Sequence, residues 1–267
     1  MVKPALRLYR SFELTAEQTP ELREEQHKWD AKLRERWPLA PTHLKELGLV
    51  NDDSYRRECK LFKQFTGNFM RKEIIDFTDS FHPPEPDYWK IIHIGVGEAD
   101  DFGYLAAARK KGLEVIALDI SRVACLNVRA HFRQKSYSLV SPDPYIGQRI
   151  WQGDVEQCFA ADLNLTHIAG QIGLIYASRI FQHLPFQKLM RTLFSMGELL
   201  RRSARLVIVH AFMEDNLSIQ WTKSIPHSRD LILCGLEAGA QMPLKILREE
   251  KEKGWFGQVY TAFTVGT

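Results

Sequence analysis

The chain has 267 residues, 45% of them hydrophobic, and a formal net charge of +3. That length and composition support a soluble globular protein with one full α/β core and a helical extension. The longest apolar runs, such as RLVIVHAFM, are broken by charge or His short of the roughly 20 residues that span a bilayer, which excludes a membrane protein. The start, MVKPALRLYRSF, is too short in its apolar part for a secretory signal, so the expected compartment is the cytoplasm. Cys59, Cys125, Cys158 and Cys234 lack C-x-x-C spacing and nearby paired His, and read as reduced core thiols rather than a zinc site or a disulfide framework.

The N-terminal part reads as helices. Leu22, Trp29, Leu33 and Trp37 recur at helical spacing in ELREEQHKWDAKLRERW, and Asp52, Asp53 and Ser54 offer N-caps to a longer helix carrying Tyr55, Cys59, Phe62, Phe65 and Phe69. That aromatic stripe serves either as core or as the lining of a ligand pocket. The prolines of HPPEPDYW, residues 82–89, stop the helical run and set a boundary between a helical extension, 1–88, and an α/β domain, 89–267. From Lys90 the strands IIHIGV, EVIALDI, RIWQGD, IGLIYAS and ARLVIVHAF alternate with helices over 101–111, SRVACLNVRAHF, VEQCFAADL and PFQKLMRTLFSMGELL. Such short apolar runs are buried parallel strands. A helix, RDLILCGLEAG, and two strand candidates, MPLKILREE and GQVYTAFTV, complete the chain. Positive charges cluster at Arg56, Arg57 and Lys60, at Arg71 and Lys72, at 109–111, and at Arg201, Arg202 and Arg205. They are either solvated helix faces or an RNA-binding surface.

In IIHIGVGEADD, residues 91–101, an apolar strand runs into a glycine turn, and in EVIALDIS, residues 114–121, a second strand ends on Asp119. Gly95 and Gly97 let backbone approach a ligand where a Cβ would collide, and Asp119 stands where a carboxylate accepts both ribose hydroxyls of an adenosine cofactor. A dinucleotide fingerprint would need a glycine at Asp100, and with Asp101 behind it two carboxylates would face a pyrophosphate, which counts against NAD and FAD. At these positions the chain resembles the class I S-adenosylmethionine-dependent methyltransferases, whose cofactor carries a sulfonium and no phosphate. The resemblance runs from Ile91 to the C-terminus. It implies S-adenosyl-L-methionine as cofactor and a Rossmann-like, seven-stranded, mostly parallel sheet with helices on both faces and an antiparallel C-terminal hairpin, beside the N-terminal helical extension.

The resemblance also implies roles for individual residues. Where the family writes an acid and then spaced glycines, this chain has His93, Gly95, Gly97 and Ala99, so an imidazole replaces the carboxylate that organises the turn. A hydrogen-bonded core histidine is the plainer reading of His93. Asp119 takes the ribose and Ile120 covers an adenine face; otherwise Asp119 caps the helix beginning near Ser121, a role Ser121 can fill itself. Asp154 of GDV accepts from the adenine amino group beside the Val155 backbone, and backbone near Ala177 and Ser178 meets the methionine part. Ser178 and Arg179 stand where metal-binding acids would, so no metal is expected. His183 is the first candidate base and His210, read as ending the fifth strand on the same edge, the second. The helical extension, with Tyr55, Phe62, Phe65 and Phe69, would cover the carboxyl edge of the sheet and shape an acceptor pocket. The expected function is methyl transfer to an O or N atom of a small organic molecule. An RNA or protein methyltransferase using the basic clusters is one alternative, and a non-methylating scaffold, suggested by His93, is the other.

Overall fold

A computed structural model of the chain describes residues 19–34, 45, 46, 48, 51–80, 90–97, 114–134, 149–155, 172–177, 180–202, 207–213, 229–254 and 259–266. Among the described residues the first long helices are α1 (Pro20–Arg34) and α2 (Asp52–Ser80). The alternation that follows is β1 (Lys90–Ile94), β2 (Glu114–Asp119), α3 (Arg122–Gln134), β3 (Arg149–Gln152) and β4 (Ile172–Ala177), then a 3-10 turn, Phe181–His183, and α4 (Phe186–Arg202). The chain closes with β5 (Val207–Met213), α5 (Arg229–Ala240), β6 (Lys245–Lys253) and β7 (Val259–Gly266). The helices expected over 101–111 and 156–163 lie outside the described residues.

These strands form a sheet in the order β3-β2-β1-β4-β5-β7-β6, parallel from β3 to β5, with β7 antiparallel between β5 and β6. Every residue of β1 and of β4 is buried, as strands covered on both faces require. Chain order runs outward in opposite directions from the β1–β4 pair. Such a switch point opens a crevice at the carboxyl ends of the strands. Register aligns that edge: Ile94 pairs with Leu118 and with Ala177, and Asp119 with Gln152.

One face of the sheet, with Ile92, Ile94, Ile116, Leu118 and Ile175, packs on Leu189, Leu193 and Met196 of α4 and on Ile232 and Leu236 of α5. The other, with Ile91, Val115, Leu174 and Tyr176, packs on Phe62, Phe69, Met70 and Ile74 of α2 and on Ala124, Cys125 and Val128 of α3. Each such α2 side chain contributes about 1.5–3 kcal/mol of burial. Phe62 and Phe69 of the aromatic stripe are therefore core, while Tyr55 and Phe65 are half-buried. Polar links tie α2 to the terminal hairpin: the Tyr260 hydroxyl donates to Glu58, and Arg248 bridges Glu73 at 2.6 Å and Asp76 at 2.5 Å.

The α2 cap sits one residue earlier than its sequence suggests. The Ser54 N–H donates to Asn51 Oδ1 at 2.8 Å and the Asn51 N–H to Ser54 Oγ at 3.0 Å, so Asn51 is the cap and Ser54 its reciprocal partner. His210 also departs from expectation. The apolar run VIVHAFM continues β5 to Met213, so His210 stands in mid-strand opposite Phe263 rather than at the strand's end.

Candidate cofactor and active site

Gly95 has φ +70° and Gly97 φ +53°, the left-handed region that glycine enters without strain. A Cβ on Gly95 would also meet Ile180 at 3.2 Å. The Gly95 N–H extends the ladder to the Leu118 carbonyl at 2.8 Å, which presses the turn against the end of β2. There the Gly97 N–H donates to Asp119 Oδ2 at 3.0 Å and the Ser121 N–H to Asp119 Oδ1 at 2.8 Å. A carboxylate has about four acceptor positions, so capacity remains for a further donor. Burial pushes the Asp119 carboxyl up to about 6, and the charge of Asp30 adds to that rise, against the opposing pull of the Gly97, Ser121 and Ile120 N–H groups.

One strand over, the Gly153 N–H donates to the Asp119 carbonyl at 2.9 Å and brings Asp154 to the same edge. Asp154 is buried and forms an ion pair with Lys188 of α4, which also meets Glu25 of α1 at 3.3 Å. Burial alone would lower the Lys188 ammonium, but Asp154 and Glu25 together hold it above its ordinary value. The start of α3 is capped twice over. The Ala124 N–H donates to Ser121 Oγ at 3.2 Å, while Asp30 of α1 accepts the Ser121 hydroxyl at 2.5 Å and the Val123 N–H at 3.1 Å. With Ser121 as the cap, Asp119 remains turned toward the glycine turn.

Gly95, Gly97, Asp119, Ile120, Asp154, Val155 and Ala177 thus line up along the carboxyl edge of β1, β2, β3 and β4. His183 lies in the turn after β4, half-buried, with its ring 4.9 Å from that of Trp29 in an edge-on contact. His93 is fully buried within β1 and packs its ring on Tyr176, 4.4 Å between centroids, as a core histidine does. Ala99 and Ser178 lie outside the described residues, and His210 is placed by its backbone alone. Sequence reasoning missed Glu25, Asp30 and Lys188. An acid beside the apolar stripe of Leu22, Trp29 and Leu33 was the one local signal.

No protein-family model and no curated protein matches the sequence. Solved structures do match. Geranyl diphosphate C-methyltransferase from Streptomyces coelicolor A3(2), in complex with Mg2+, geranyl diphosphate and S-adenosyl-L-homocysteine, superposes with a TM-score of 0.56 at 10% identity, over 94% of this chain and 99% of that one. A protein from Galdieria sulphuraria, named provisionally as a sarcosine dimethylglycine methyltransferase, gives 0.53 at 13% identity over 76% and 85%. The CurJ carbon methyltransferase gives 0.52 at 13% identity, over 76% of this chain and 55% of that one. The chain has the fold of the class I S-adenosylmethionine-dependent methyltransferases. Within that fold the site residues suit the cofactor: a turn of two positive-φ glycines, and carboxylates at Asp119 and Asp154 with Lys188 as the nearby cation among the described residues. A sulfonium fits this charge balance, and a pyrophosphate does not.

Proposed function

We propose that the protein is an S-adenosyl-L-methionine-dependent methyltransferase acting on an O or N atom of a small organic molecule. The observation that carries this reading is the Asp119 carboxylate, held at the end of β2 by the Gly97 and Ser121 N–H groups with acceptor capacity to spare. Asp119 would take the ribose hydroxyls, Ile120 an adenine face, and Asp154 with the Val155 backbone the adenine edge. Gly95, Gly97 and Ala99 would admit the chain of the cofactor, with backbone at Ala177 and Ser178 beside its methionine part. Bound S-adenosylmethionine supplies a methyl group activated on sulfur.

The protein's own contribution is alignment and water exclusion, with His183 taking the proton from an acceptor hydroxyl. An amine acceptor needs no such base. Within the extension expected over 1–88, α1 acts in this reading as the lid that carries Trp29 to His183, while α2 packs on the sheet face. His93, buried against Tyr176, supports the turn from beneath rather than touching the cofactor, and no metal is proposed. Of the cations proposed to favour RNA, Arg56 pairs with Asp53 at 3.2 Å and Lys72 with Glu250 at 2.9 Å, which favours the small-molecule reading.

Titration calorimetry with S-adenosylhomocysteine tests the cofactor, with NAD as control. Micromolar binding that falls at least about tenfold in Asp119→Ala, with NAD inert, is the expected result. Equal affinity in the variant removes Asp119 from the site. Because structural relatives include carbon methyltransferases, the acceptor screen that follows should contain carbon nucleophiles beside alcohols and amines.

A further inference from the structure

Asp30 is buried, 6% exposed, in a helix that chain order places more than fifty residues before the sheet. Its carboxylate accepts the Ser121 hydroxyl at 2.5 Å, and the N–H of the same serine donates to Asp119 at 2.8 Å. One serine thus joins two buried carboxylates through its two donors. Capping does not explain the arrangement, because Ser121 already caps α3 through the Ala124 N–H and an uncharged Asn would accept from Ser121 and Val123 as well. An acid here bears a desolvation cost and repels Asp119. The negative charge itself therefore needs a role.

We propose, resting on the cofactor reading above, that Asp30 is a positioning residue for Asp119 and that the docking of α1 is coupled through it to occupancy of the adenosine site. The same helix makes a parallel link at the neighbouring strand, where Glu25 reaches Asp154 through Lys188. Glu25 and Asp30 lie five residues apart on the helix, about 7.5 Å of rise, so one element reaches both acids. Donors arriving on Asp119, or a cation beside it, relieve its repulsion with Asp30 and so tighten α1. By linkage, a docked α1 tightens the ligand by the same factor.

Among the described residues the groups around Asp119 are few. Asp30 comes from α1, the Gly97 N–H from the turn after β1, and Cys125 from α3, with its Sγ 3.8 Å from the Asp119 carbonyl oxygen. Asp154, Lys188 and Glu25 are engaged with one another, and His93 of β1 is turned against Tyr176. Among the described residues Asp30 is the charge that acts on Asp119.

Two readouts on wild type, Asp30→Asn and Asp30→Ala test the proposal: the carboxyl carbon of Asp119 followed by NMR across pH, and S-adenosylhomocysteine affinity across the same range. Asp30→Asn keeps the one oxygen that accepts from both Ser121 and Val123 and drops the charge, so the Asp119 midpoint should fall and binding should persist to correspondingly lower pH. Asp30→Ala loses the link as well and should bind about tenfold more weakly throughout. An unmoved midpoint in Asp30→Asn overturns the proposal, and so does wild-type affinity in Asp30→Ala. If the midpoint moves while wild type binds no S-adenosylhomocysteine, the positioning of Asp119 by Asp30 stands and the cofactor reading falls.

Discussion

The two faces of the sheet are held by different forces. On one side α4 and α5 meet the strands through apolar side chains, and glycines let the two helices nearly touch. A Cβ on Gly239 would sit 1.9 Å from the Phe194 carbonyl oxygen, and one on Gly197 2.1 Å from that of Leu236. On the other side α1 and α2 bring buried acids with them: Asp30, Glu58 and Glu73 each reach a polar partner on another element. Apart from Lys188 and Arg229 at its margins, the first face is an apolar fit with essentially one solution. Contacts on the second carry charge, and charge responds to pH and to ligands, so the regulated half of the molecule should be the α1–α2 side.

The sharpest way to break the first face is Gly239→Ala. Backbone stands in the way of the new methyl, and backbone of a packed helix cannot rotate aside as a side chain does. A loss of at least about 3 kcal/mol in urea unfolding is expected, at the upper end of overpacking effects. Stability within about 0.5 kcal/mol of wild type would mean that the α4–α5 interface shifts freely, and the contrast between the faces would dissolve.

The second face should declare itself through pH. Asp119 has a folded-state value of about 6 against an ordinary 3.8. Between those values the folded chain holds a proton that the unfolded chain has released, so stability attributable to this group is present at low pH and is lost as pH rises from about 4 to about 6. The full swing is about 3 kcal/mol at most. Comparing unfolding free energies of wild type and Asp119→Asn across this range isolates the group, because any fixed penalty of the amide against an N–H donor cancels in the slope. Parallel curves would show that Asp119 is not raised, and the strain assigned to the α1 side would be absent.

How much of this was legible beforehand follows from range. Strands β1, β2 and β4, the glycine turn and the placement of Asp119 are written in contiguous residues, where apolar run, glycine and acid succeed one another within a few positions. Asn51 as the α2 cap was missed by one residue because Asp52, Asp53 and Ser54 are all competent caps and only the reciprocal bond to Ser54 decides. The link from Asp30 to Ser121 spans 91 positions and that from Glu25 to Lys188 spans 163. Nothing in a local window announces either one. His210 failed for the opposite reason: the strand pattern is clear, but its end depends on pairing with β7, which carries β5 on to Met213.

The smallest effect separates links that hold α2 from links that touch the site. Glu58 and Tyr260 are both buried, the phenol donating to the carboxylate, with the Phe62 ring 4.5 Å from that of Tyr260. Glu58→Gln keeps a carbonyl for the Tyr260 hydroxyl and removes only the charge that strengthens the bond. Charged hydrogen bonds exceed neutral ones by about 1 kcal/mol, so a loss of that size is expected in chemical unfolding. S-adenosylhomocysteine affinity should not move, because the Glu58–Tyr260 bond ties α2 to β7, four strands from β2 in the sheet, in contrast to the weakening expected of Asp30→Ala. A matching loss of affinity would place α2, and not α1 alone, in communication with the cofactor edge.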